Sequence, residues 1–324
     1  MAVYTKLISE DITQFLKNYQ IGNLISFQEI IDGIDNSNFI IVTTSGRFIL
    51  TIFESRIKKD ELPFFMNLKL HLAKEGICCP EPISNNFGFL ITEINGKSAS
   101  IVTFLSGSTL NPKEDGYYNN ITDKHCFEIG QILARLHLAV NSFKGSRKND
   151  LGIYDWRNLF NKISVDIGNY KKDLDKEIKS YLDLLEKKWS HELPSGVVHS
   201  DLFPDNVFFN QKNELSGVID FYFSANDFFI YDLAVVINAW CFDENNDFIK
   251  SRMNAILGGY EKIRKLQKNE EEFLKIALIG ASLRFLLTRF YDLFHSKKNS
   301  LVKIKNPEEY LKKIRFFISE LKNS

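Results

Sequence analysis

The sequence predicts an α+β protein of two lobes, with an antiparallel β-sheet in the first lobe (1–105) and mainly helices in the second (106–324). Three observations predict this division. Short β-like runs alternate with turn residues over the first hundred positions, apolar residues recur at helical spacing from residue 122 onward, and the pattern beyond residue 230 is almost entirely helical. With 324 residues, 44% of them hydrophobic, the chain can bury a core in each lobe. A cleft between two such lobes is a common place for a cofactor.

Five β-like runs and one helix account for the first lobe. The runs are rich in Ile, Phe, Val and Thr, and Thr44, Ser45 and Gly46 form a hairpin signal between the second run and the third. An amphipathic helix is predicted around 61–75, after which Pro80 and Pro82 break the chain. The predicted strands cover 27–31, 38–43, 47–53, 88–93 and 99–104.

The second lobe begins with two helical patterns and a hairpin. One predicted helix ends near Asn141 and another stops before Pro194. Residues 141–155 are polar and contain glycine, which predicts a loop. The apolar runs 207–209 and 215–219 flank a polar turn and predict a hairpin. The residues that define the two helices are Ile129, Ile132, Leu133, Leu136 and Val140 in the first and Ile178, Tyr181, Leu182, Leu185 and Trp189 in the second.

Composition and charge argue against several classes of partner. Lys+Arg and Asp+Glu balance at 41 each, whereas a nucleic-acid binder usually has a basic excess. The amino terminus lacks a signal-peptide pattern, and the apolar stretch 276–294 is interrupted by Arg284, Arg289 and Asp292, which argues against a membrane span. The four cysteines form no CxxC pair and fit reduced thiols. We therefore expect a cytoplasmic protein without nucleic-acid or membrane partners.

The chemistry is concentrated in one loop and the hairpin that follows it. An apolar run leads into a loop that contains Asp201 and, five residues later, Asn206; Asp220 ends the second hairpin strand. Phosphoryl transfer needs one carboxylate to orient the attacking hydroxyl and accept its proton, and oxygen ligands for the Mg²⁺ that bridges the phosphates. We interpret Asp201 as the catalytic carboxylate and Asn206 and Asp220, which a hairpin brings side by side, as magnesium ligands.

These residues carry a resemblance to a known family. The pattern His199-x-Asp201-x4-Asn206, followed by Ile219-Asp220-Phe221, resembles the catalytic loop and metal-binding segment of the protein-kinase-like fold. The surrounding sequence resembles the aminoglycoside phosphotransferase-like superfamily and, within it, the bacterial homoserine kinase family. The similar segments extend from residue 1 to about 292 and include DNSNFIIVTTSGRFILTIFE, IVTFLSG, LARLHLA, HSDLFPDNVFF, YDLAVVINAWCF and LRFLLTR.

The resemblance implies a reaction and its substrates. ATP would bind under the first-lobe sheet with Mg²⁺, and L-homoserine would be phosphorylated on its hydroxyl to O-phospho-L-homoserine, on the route to threonine. Two alternatives remain open. The protein could be another small-molecule kinase of this fold, acting on an aminoglycoside, choline or methylthioribose, although the Lys-rich region 144–188 argues against a polycationic substrate. It could also be a nucleotide-binding regulator without turnover.

Three polar residues are expected to support the site or the core. We expect His199 to make hydrogen bonds within the loop rather than to transfer protons. Asp232 is similar to a superfamily aspartate that braces the catalytic loop from a helix start, although it could simply be the N-cap of a helix at 232–241. His137 lies on an apolar helix face and is expected to be a hydrogen-bonded core histidine.

The nucleotide contacts in the first lobe are less clearly marked. The segment 32–38 lies where related kinases place a phosphate-covering hairpin, so Gly33, Ser37 and Asn38 are candidates, with an ordinary turn as the alternative. The segment 101–105 resembles the hinge whose backbone pairs with adenine, which makes Val102 and Phe104 candidates.

One expected charge is missing from the first lobe. The strand lysine of related kinases falls at Thr51, which carries no positive charge. Arg47, Arg56 or Lys58 could replace it. This departure is the main reason to consider a regulator without turnover.

Homoserine is a zwitterion, so its pocket needs a cation and an acceptor. Arg284 and Arg289 lie in an apolar helical stretch where a guanidinium without an anion is costly, so either could bind the substrate carboxylate. For Arg289 an i,i+3 pair with Asp292 is the alternative. Asp205 is the candidate for the ammonium, and a solvated loop carboxylate is its alternative.

Overall fold

The computed structural model describes residues 5–30, 36–54, 57–110, 120–190, 192–296 and 304–322. Within these residues, the first lobe is built on a six-stranded sheet with the order β1-β2-β3-β6-β4, and β5 pairs with β6. Every pairing is antiparallel, as predicted. The strands are β1 (Leu24–Ile30), β2 (Asn36–Thr43), β3 (Gly46–Phe53), β4 (Pro82–Ile83), β5 (Thr92–Ile94) and β6 (Lys97–Thr103).

A helix covers each face of this sheet. Ile12 of helix α1 (Ser9–Leu16) belongs to the same core cluster as Leu50, and Phe65 of helix α2 (Leu62–Lys74) belongs to a second cluster with Phe53. Because successive strand residues point to opposite faces, Thr51 lies on the same face as Phe53. The face under α2 therefore carries the residues that can reach a cleft between the lobes.

The second lobe is mainly helical, as predicted. Strand β7 (Ser108–Thr109) joins the hairpin of β9 (Val207–Phe209) and β10 (Leu215–Val218), and β8 (Ser195–Val198) pairs with β11 (Ala225–Phe228). The predicted boundary after residue 105 lies between β6 and β7, and we propose it as the division between the lobes. The helices are α3 (Asp123–Ala139), α4 (Ile153–Tyr170), α5 (Leu174–Lys188), α6 (Phe229–Trp240), α7 (Lys250–Ile263), α8 (Lys268–His295) and α9 (Glu308–Lys322).

The predicted strand at 88–93 is wrong over most of its length. Only residues 92–94 are extended, in β5. The preceding residues form a turn in which the Asn85 carboxamide oxygen accepts hydrogen bonds from the backbone N–H groups of Phe87 and Phe89, both at 2.9 Å. The Asn85 side chain thus competes with the sheet ladder for these backbone donors. The loop predicted at 141–155 is also too long, because α4 begins at Ile153.

The structure describes no helix that combines the length and the apolar character needed to cross a membrane.

Helix α9 is held against α8 by a buried group of three charges. The Glu309 carboxylate accepts hydrogen bonds from Arg289 of α8 and from Lys313, both at 2.6 Å. Lys313 also donates to the carbonyl oxygen of Asn238, at 2.9 Å. Although burial opposes ionisation, the charges of Lys313 and Arg289 hold the pKa of Glu309 at about 2. Glu309 is thus the anion that allows both cations to be buried.

We predict that Glu309→Ala lowers the free energy of unfolding by about 3–5 kcal/mol, because removing one member of a buried ionic group leaves uncompensated charge. Urea unfolding followed by circular dichroism measures the change. Glu320→Ala removes an exposed carboxylate from the same helix and should have little effect. Equal stability of the two variants would contradict this account of how α9 is held.

Candidate active site

The catalytic loop predicted from the sequence lies between β8 and β9. Ser200 and Asp220 adopt left-handed backbone conformations, with φ of 64° and 62°. This region is uncommon for residues other than glycine, and such residues cluster at functional sites. The unusual backbone is therefore found beside Asp201 and at the predicted metal ligand Asp220.

The carboxylate of Asp232 fixes the backbone of this loop. Asp232 is fully buried and accepts hydrogen bonds from the backbone N–H groups of His199 and Ser200, each at 2.8 Å. Burial opposes ionisation, but the hydrogen bond from His137 and its charge keep the pKa of Asp232 below its ordinary value. Helix α6 begins at Phe229, so the interpretation of Asp232 as a simple N-cap is wrong. Asp232 instead fixes the loop backbone from the first turn of the helix.

His199 makes the intraloop hydrogen bonds that its position suggests. Its Nδ1 accepts from the backbone N–H of Asp201 (3.3 Å), so Nε2 carries the proton that is donated to the carbonyl oxygen of Ile219 (3.0 Å). Burial lowers the pKa of His199 and favours this neutral form. The imidazole thereby links the catalytic loop to the strand that ends at Asp220.

The three predicted catalytic and metal residues lie together. The Asn206 amide nitrogen donates to the backbone carbonyl of Asp201 (2.7 Å) and contacts its carboxylate (3.3 Å). The backbone N–H of Ile219 donates to the carbonyl of Asn206 (3.0 Å), which places Asp220 beside it. Since its nitrogen faces Asp201, the Asn206 side chain has its oxygen directed away from that carboxylate.

Asn206 and Asp220 fit a magnesium ion by the chemistry of their donors. Both supply oxygen, and Mg²⁺ is commonly held by one or two carboxylates together with substrate phosphates and water. In the described part of the chain, no three His, Cys, Asp or Glu side chains converge to hold a metal ion alone. The two residues are thus suited to hold a metal together with a nucleotide.

Two cations lie close to Asp201. Burial raises the pKa of Asp201, the charges of Arg284, Lys305 and His199 oppose this rise, and the charge of Asp205 adds to it. Arg284, on α8, is almost fully buried; it donates to the carbonyl of Ser200 (2.7 Å) and lies 3.9 Å from the Asp201 carboxylate. These cations favour the ionised carboxylate that a general base requires.

The predicted substrate-binding residues are only partly brought together. Arg284 and Asp205 lie beside Asp201, with Asp205 in the short turn Pro204–Asn206. Arg289 does not lie there. Its guanidinium donates to Glu309 and to the carbonyl of Asn306, so it is already engaged and its predicted carboxylate-binding role is not supported. The ion pair it forms is with Glu309 rather than with Asp292, the predicted alternative. The anion that this buried arginine needs is on a helix distant in sequence.

Two of the three predicted phosphate-covering residues, Ser37 and Asn38, are described by the structure, and their surroundings differ. Gly33 lies outside the described residues. The Ser37 hydroxyl is buried, donating to Glu54 (2.8 Å) and accepting from the Thr5 N–H (3.0 Å), so it is already engaged and its predicted phosphate contact is not supported. The Asn38 carboxamide oxygen accepts from the Thr51 hydroxyl at 2.8 Å, which places Asn38 on the cleft face of the sheet.

The predicted adenine hinge lies at the end of β6. The backbone of Val102 pairs with Ile49 of β3 and with Pro82 of β4, inside the sheet. Phe104 follows the strand, and the Arg47 guanidinium stacks on its ring at 4.6 Å from the centroid. Phe104 is therefore the better placed of the two predicted hinge residues, and its adenine contact stays a prediction.

Two lysines near the site were missed by sequence reasoning. Lys305 precedes α9 and faces the ring of Phe203 at 5.5 Å. Lys69 lies on α2 and is 5% exposed. Neither occurs in a motif, but a lysine at an apolar position of an amphipathic helix is a signal that could have identified Lys69.

With this geometry described, the chain can be compared with known proteins. The profile of the phosphotransferase enzyme family matches residues 26–266. The protein belongs to this family, and its two-lobed fold is that of the protein-kinase-like phosphotransferases.

Relatives similar over nearly the whole chain are named homoserine kinases. The chain is 46% identical to the homoserine kinase of Bartonella tribocorum and 44% identical to that of Bartonella henselae, covering 98% of this chain and 97% of each relative. It is 43% identical to the homoserine kinase of Rhodospirillum rubrum, covering 98% and 96%.

Solved structures with the same fold are more distant in sequence. A spectinomycin phosphotransferase bound to ADP and spectinomycin has a TM-score of 0.69 at 15% identity, covering 97% of this chain and 99% of the other. An amicoumacin kinase bound to AMP-PNP and Ca²⁺ has a TM-score of 0.68 at 14% identity, covering 98% and 94%. At these identities the likeness establishes the fold alone.

We predict that Arg284→Met moves the acidic limb of the kcat/KM profile to higher pH. As the predicted base, Asp201 would act in its ionised form. The charge of Arg284 lowers its pKa, so removing that charge should raise the pH at which activity is lost. Arg135→Met, an exposed substitution on α3, serves as the control. An acidic limb that does not move, in a variant shown by circular dichroism to be folded, would mean that Arg284 does not tune Asp201.

Proposed function

We propose that the protein is an ATP-dependent homoserine kinase, which transfers the γ-phosphoryl group of ATP to the hydroxyl of L-homoserine and forms O-phospho-L-homoserine for threonine biosynthesis. The observation that carries the proposal is the identity of 42–46% to homoserine kinases over 98% of this chain. The geometry of Asp201, Asn206 and Asp220 adds a site suited to phosphoryl transfer.

Asp201 orients the substrate hydroxyl and accepts its proton as the oxygen attacks the γ-phosphorus in line with the leaving ADP. The loop is held from two sides, by Asp232 through its backbone N–H groups and by Arg284 through the carbonyl of Ser200. The reacting carboxylate is therefore positioned before the substrate binds. Such positioning, rather than a covalent intermediate, is the main contribution of the protein to this kind of reaction.

Asn206 and Asp220 would hold a Mg²⁺ ion against the phosphates of the nucleotide. When bound, the ion neutralises charge that develops on the phosphate oxygens. The hydrogen bond from Ile219 to Asn206 keeps the two ligands on adjacent segments. The Asn206 amide also contacts Asp201, so one side chain adjoins both the metal position and the base.

Arg284 remains our candidate for the homoserine carboxylate. Among the described residues its buried Nε has no hydrogen-bond partner, and an acceptor there would satisfy a costly unpaired donor. Lys305, which also faces Asp201, adds positive charge at the same place. Asp205 remains the candidate for the ammonium group. Opposite charges near Asp201 match a zwitterion.

We place the reaction in the cytoplasm. The described residues contain four free cysteines, Cys78, Cys79, Cys126 and Cys241, which fits a reducing compartment. The formal net charge of zero gives no reason to propose a nucleic-acid partner.

The function is tested by ADP release from MgATP with L-homoserine, choline, kanamycin and methylthioribose as acceptors. We expect turnover with homoserine and none above the water background with the others, because only homoserine carries both charges that the site matches. Phosphorus NMR of the product identifies the phosphate monoester. Turnover with another acceptor, and none with homoserine, would show that the protein is a kinase for a different substrate.

Asp201→Asn serves as the matched control for this assay. The substitution keeps the shape of the side chain and removes the base, so turnover should fall by about 10²–10⁴-fold while ADP affinity is retained. Turnover near that of the unmodified protein would exclude Asp201 as the base.

We predict that Asp220→Ala abolishes magnesium-dependent nucleotide binding, because the remaining nearby carboxylate serves the acceptor side of the site. Calorimetric titration with ADP, in the presence of Mg²⁺ and with EDTA, measures the effect. Asn206→Ala should lower turnover more than it weakens binding. A magnesium-dependent affinity that is unchanged in Asp220→Ala would remove this residue from the metal site.

A further inference from the structure

The nucleotide site lacks a cation where the sheet should supply it. Thr51 is buried on the cleft face of β3, and its hydroxyl is committed to Asn38. Although burial raises the pKa of Tyr222, two residues beyond Asp220, Thr51 lies close enough to that phenol to oppose this rise. A threonine in this environment cannot neutralise phosphate charge, so a positive charge has to come from another element.

Of the substitutes considered from the sequence, the two that the structure describes, Arg47 and Lys58, do not fill this position. Arg47 stacks on Phe104, at the hinge end of the sheet. Lys58 is 69% exposed and lies within ion-pair distance of Glu61 and Asp150. Arg56 lies outside the described residues.

Lys69, unlike Arg47 and Lys58, lies near both Tyr222 and Asp220. It comes from α2, its ammonium lies 5.2 Å from the centroid of the Tyr222 ring, and only 5% of the residue is exposed. Among the described residues it makes no ion pair with a carboxylate; the acidic side chain whose charge it feels is Asp220. A buried ammonium without a bound anion is costly, and an anionic ligand next to Asp220 and its metal would remove that cost.

We propose that the Lys69 ammonium replaces the absent strand lysine and binds the phosphate groups of the nucleotide. The inference rests on the proposed ATP-dependent function and specifies a residue of its nucleotide site. Lys69 reaches the cleft from the helix above the sheet instead of from the sheet itself. The Tyr222 ring that the ammonium faces on this path packs against Phe53 and Phe65, at centroid distances of 5.9 and 5.5 Å.

Burial lowers the pKa of Lys69 to about 8. The side chain is thus mainly charged at neutral pH, yet a fraction is present as the free amine. A structural lysine that only stacks on Tyr222 would share these properties. The test must therefore measure how the protein binds the nucleotide phosphates, and not how stable the protein is.

The decisive measurement compares ADP with adenosine as ligands of Lys69→Met. We expect ADP affinity and the KM for ATP to worsen by roughly 10- to 100-fold, the effect of losing a charged hydrogen bond. Adenosine affinity and the KM for homoserine should stay within about twofold, because neither ligand has these phosphates. Lys74→Met, an exposed lysine of the same helix, is the matched control.

Moving the positive charge from α2 to strand β3 makes the test specific. Adding Thr51→Lys to Lys69→Met returns a cation to the strand, and ADP affinity should recover at least in part. Equal losses for ADP and adenosine in Lys69→Met, or an unchanged ADP affinity, would overturn the proposal.

A chemical probe provides a test on the unmodified protein in case Lys69→Met fails to fold. In an acyl phosphate of ADP, a lysine amine near the phosphates attacks the acyl carbon, an amide forms, and the bond to the phosphate oxygen breaks to release ADP. Peptide mass spectrometry should find the acyl group on Lys69, with excess ADP preventing the reaction. Labelling of another lysine instead would overturn the proposal. Absence of ATP turnover and of ADP binding in the unmodified protein would refute the proposed function itself, an outcome distinct from these.

Discussion

The active loop depends above all on one buried carboxylate, that of Asp232. It accepts two backbone N–H groups from the loop and a hydrogen bond from His137, whose other nitrogen meets Tyr260 at 2.7 Å. Tyr260 continues to Arg264, which pairs with the buried Glu270. In a medium of low dielectric constant such a fully hydrogen-bonded network is rigid, and the loss of any partner would lower the stability of the protein. The left-handed backbone at Ser200 is therefore held by interactions that reach helices α7 and α8.

A second constraint joins the two lobes at the same place. Tyr222 belongs to the second lobe, yet its ring packs edge-on against Phe53 of β3 and Phe65 of α2. Asp220 precedes this ring in sequence, so the contact that closes the lobes together also positions the proposed metal ligand. A shift of α2 would be transmitted to the site through a packed aromatic ring, because well-packed interfaces do not deform continuously.

The sequence predicted the fold class, the hairpin and the clustering of Asp201, Asn206 and Asp220, because these depend on local periodicity and short spacing. It failed where partners are distant in sequence. Nothing near Arg289 indicated that Glu309 would take its charge, and Ser37 gave no sign of its bond to Glu54. Helix α1 was missed because it is only eight residues long and has no capping side-chain hydrogen bond from Ile8. Pairing of buried charges is a tertiary property that single-sequence patterns do not encode.

The distribution of charge explains how a chain of zero net charge can serve an anionic reaction. Arg284 of α8 and Lys305, which precedes α9, lie near Asp201. Lys69 of α2 lies near Asp220. Asp201 and Asp220 thus each have positive charge near them before any ligand binds. In the proposed reaction, the nucleotide phosphates and a substrate carboxylate would enter a site whose electrostatic environment is already arranged. Such preorganisation needs little rearrangement as charge develops in the transition state, which is how a protein without a covalent intermediate can accelerate phosphoryl transfer.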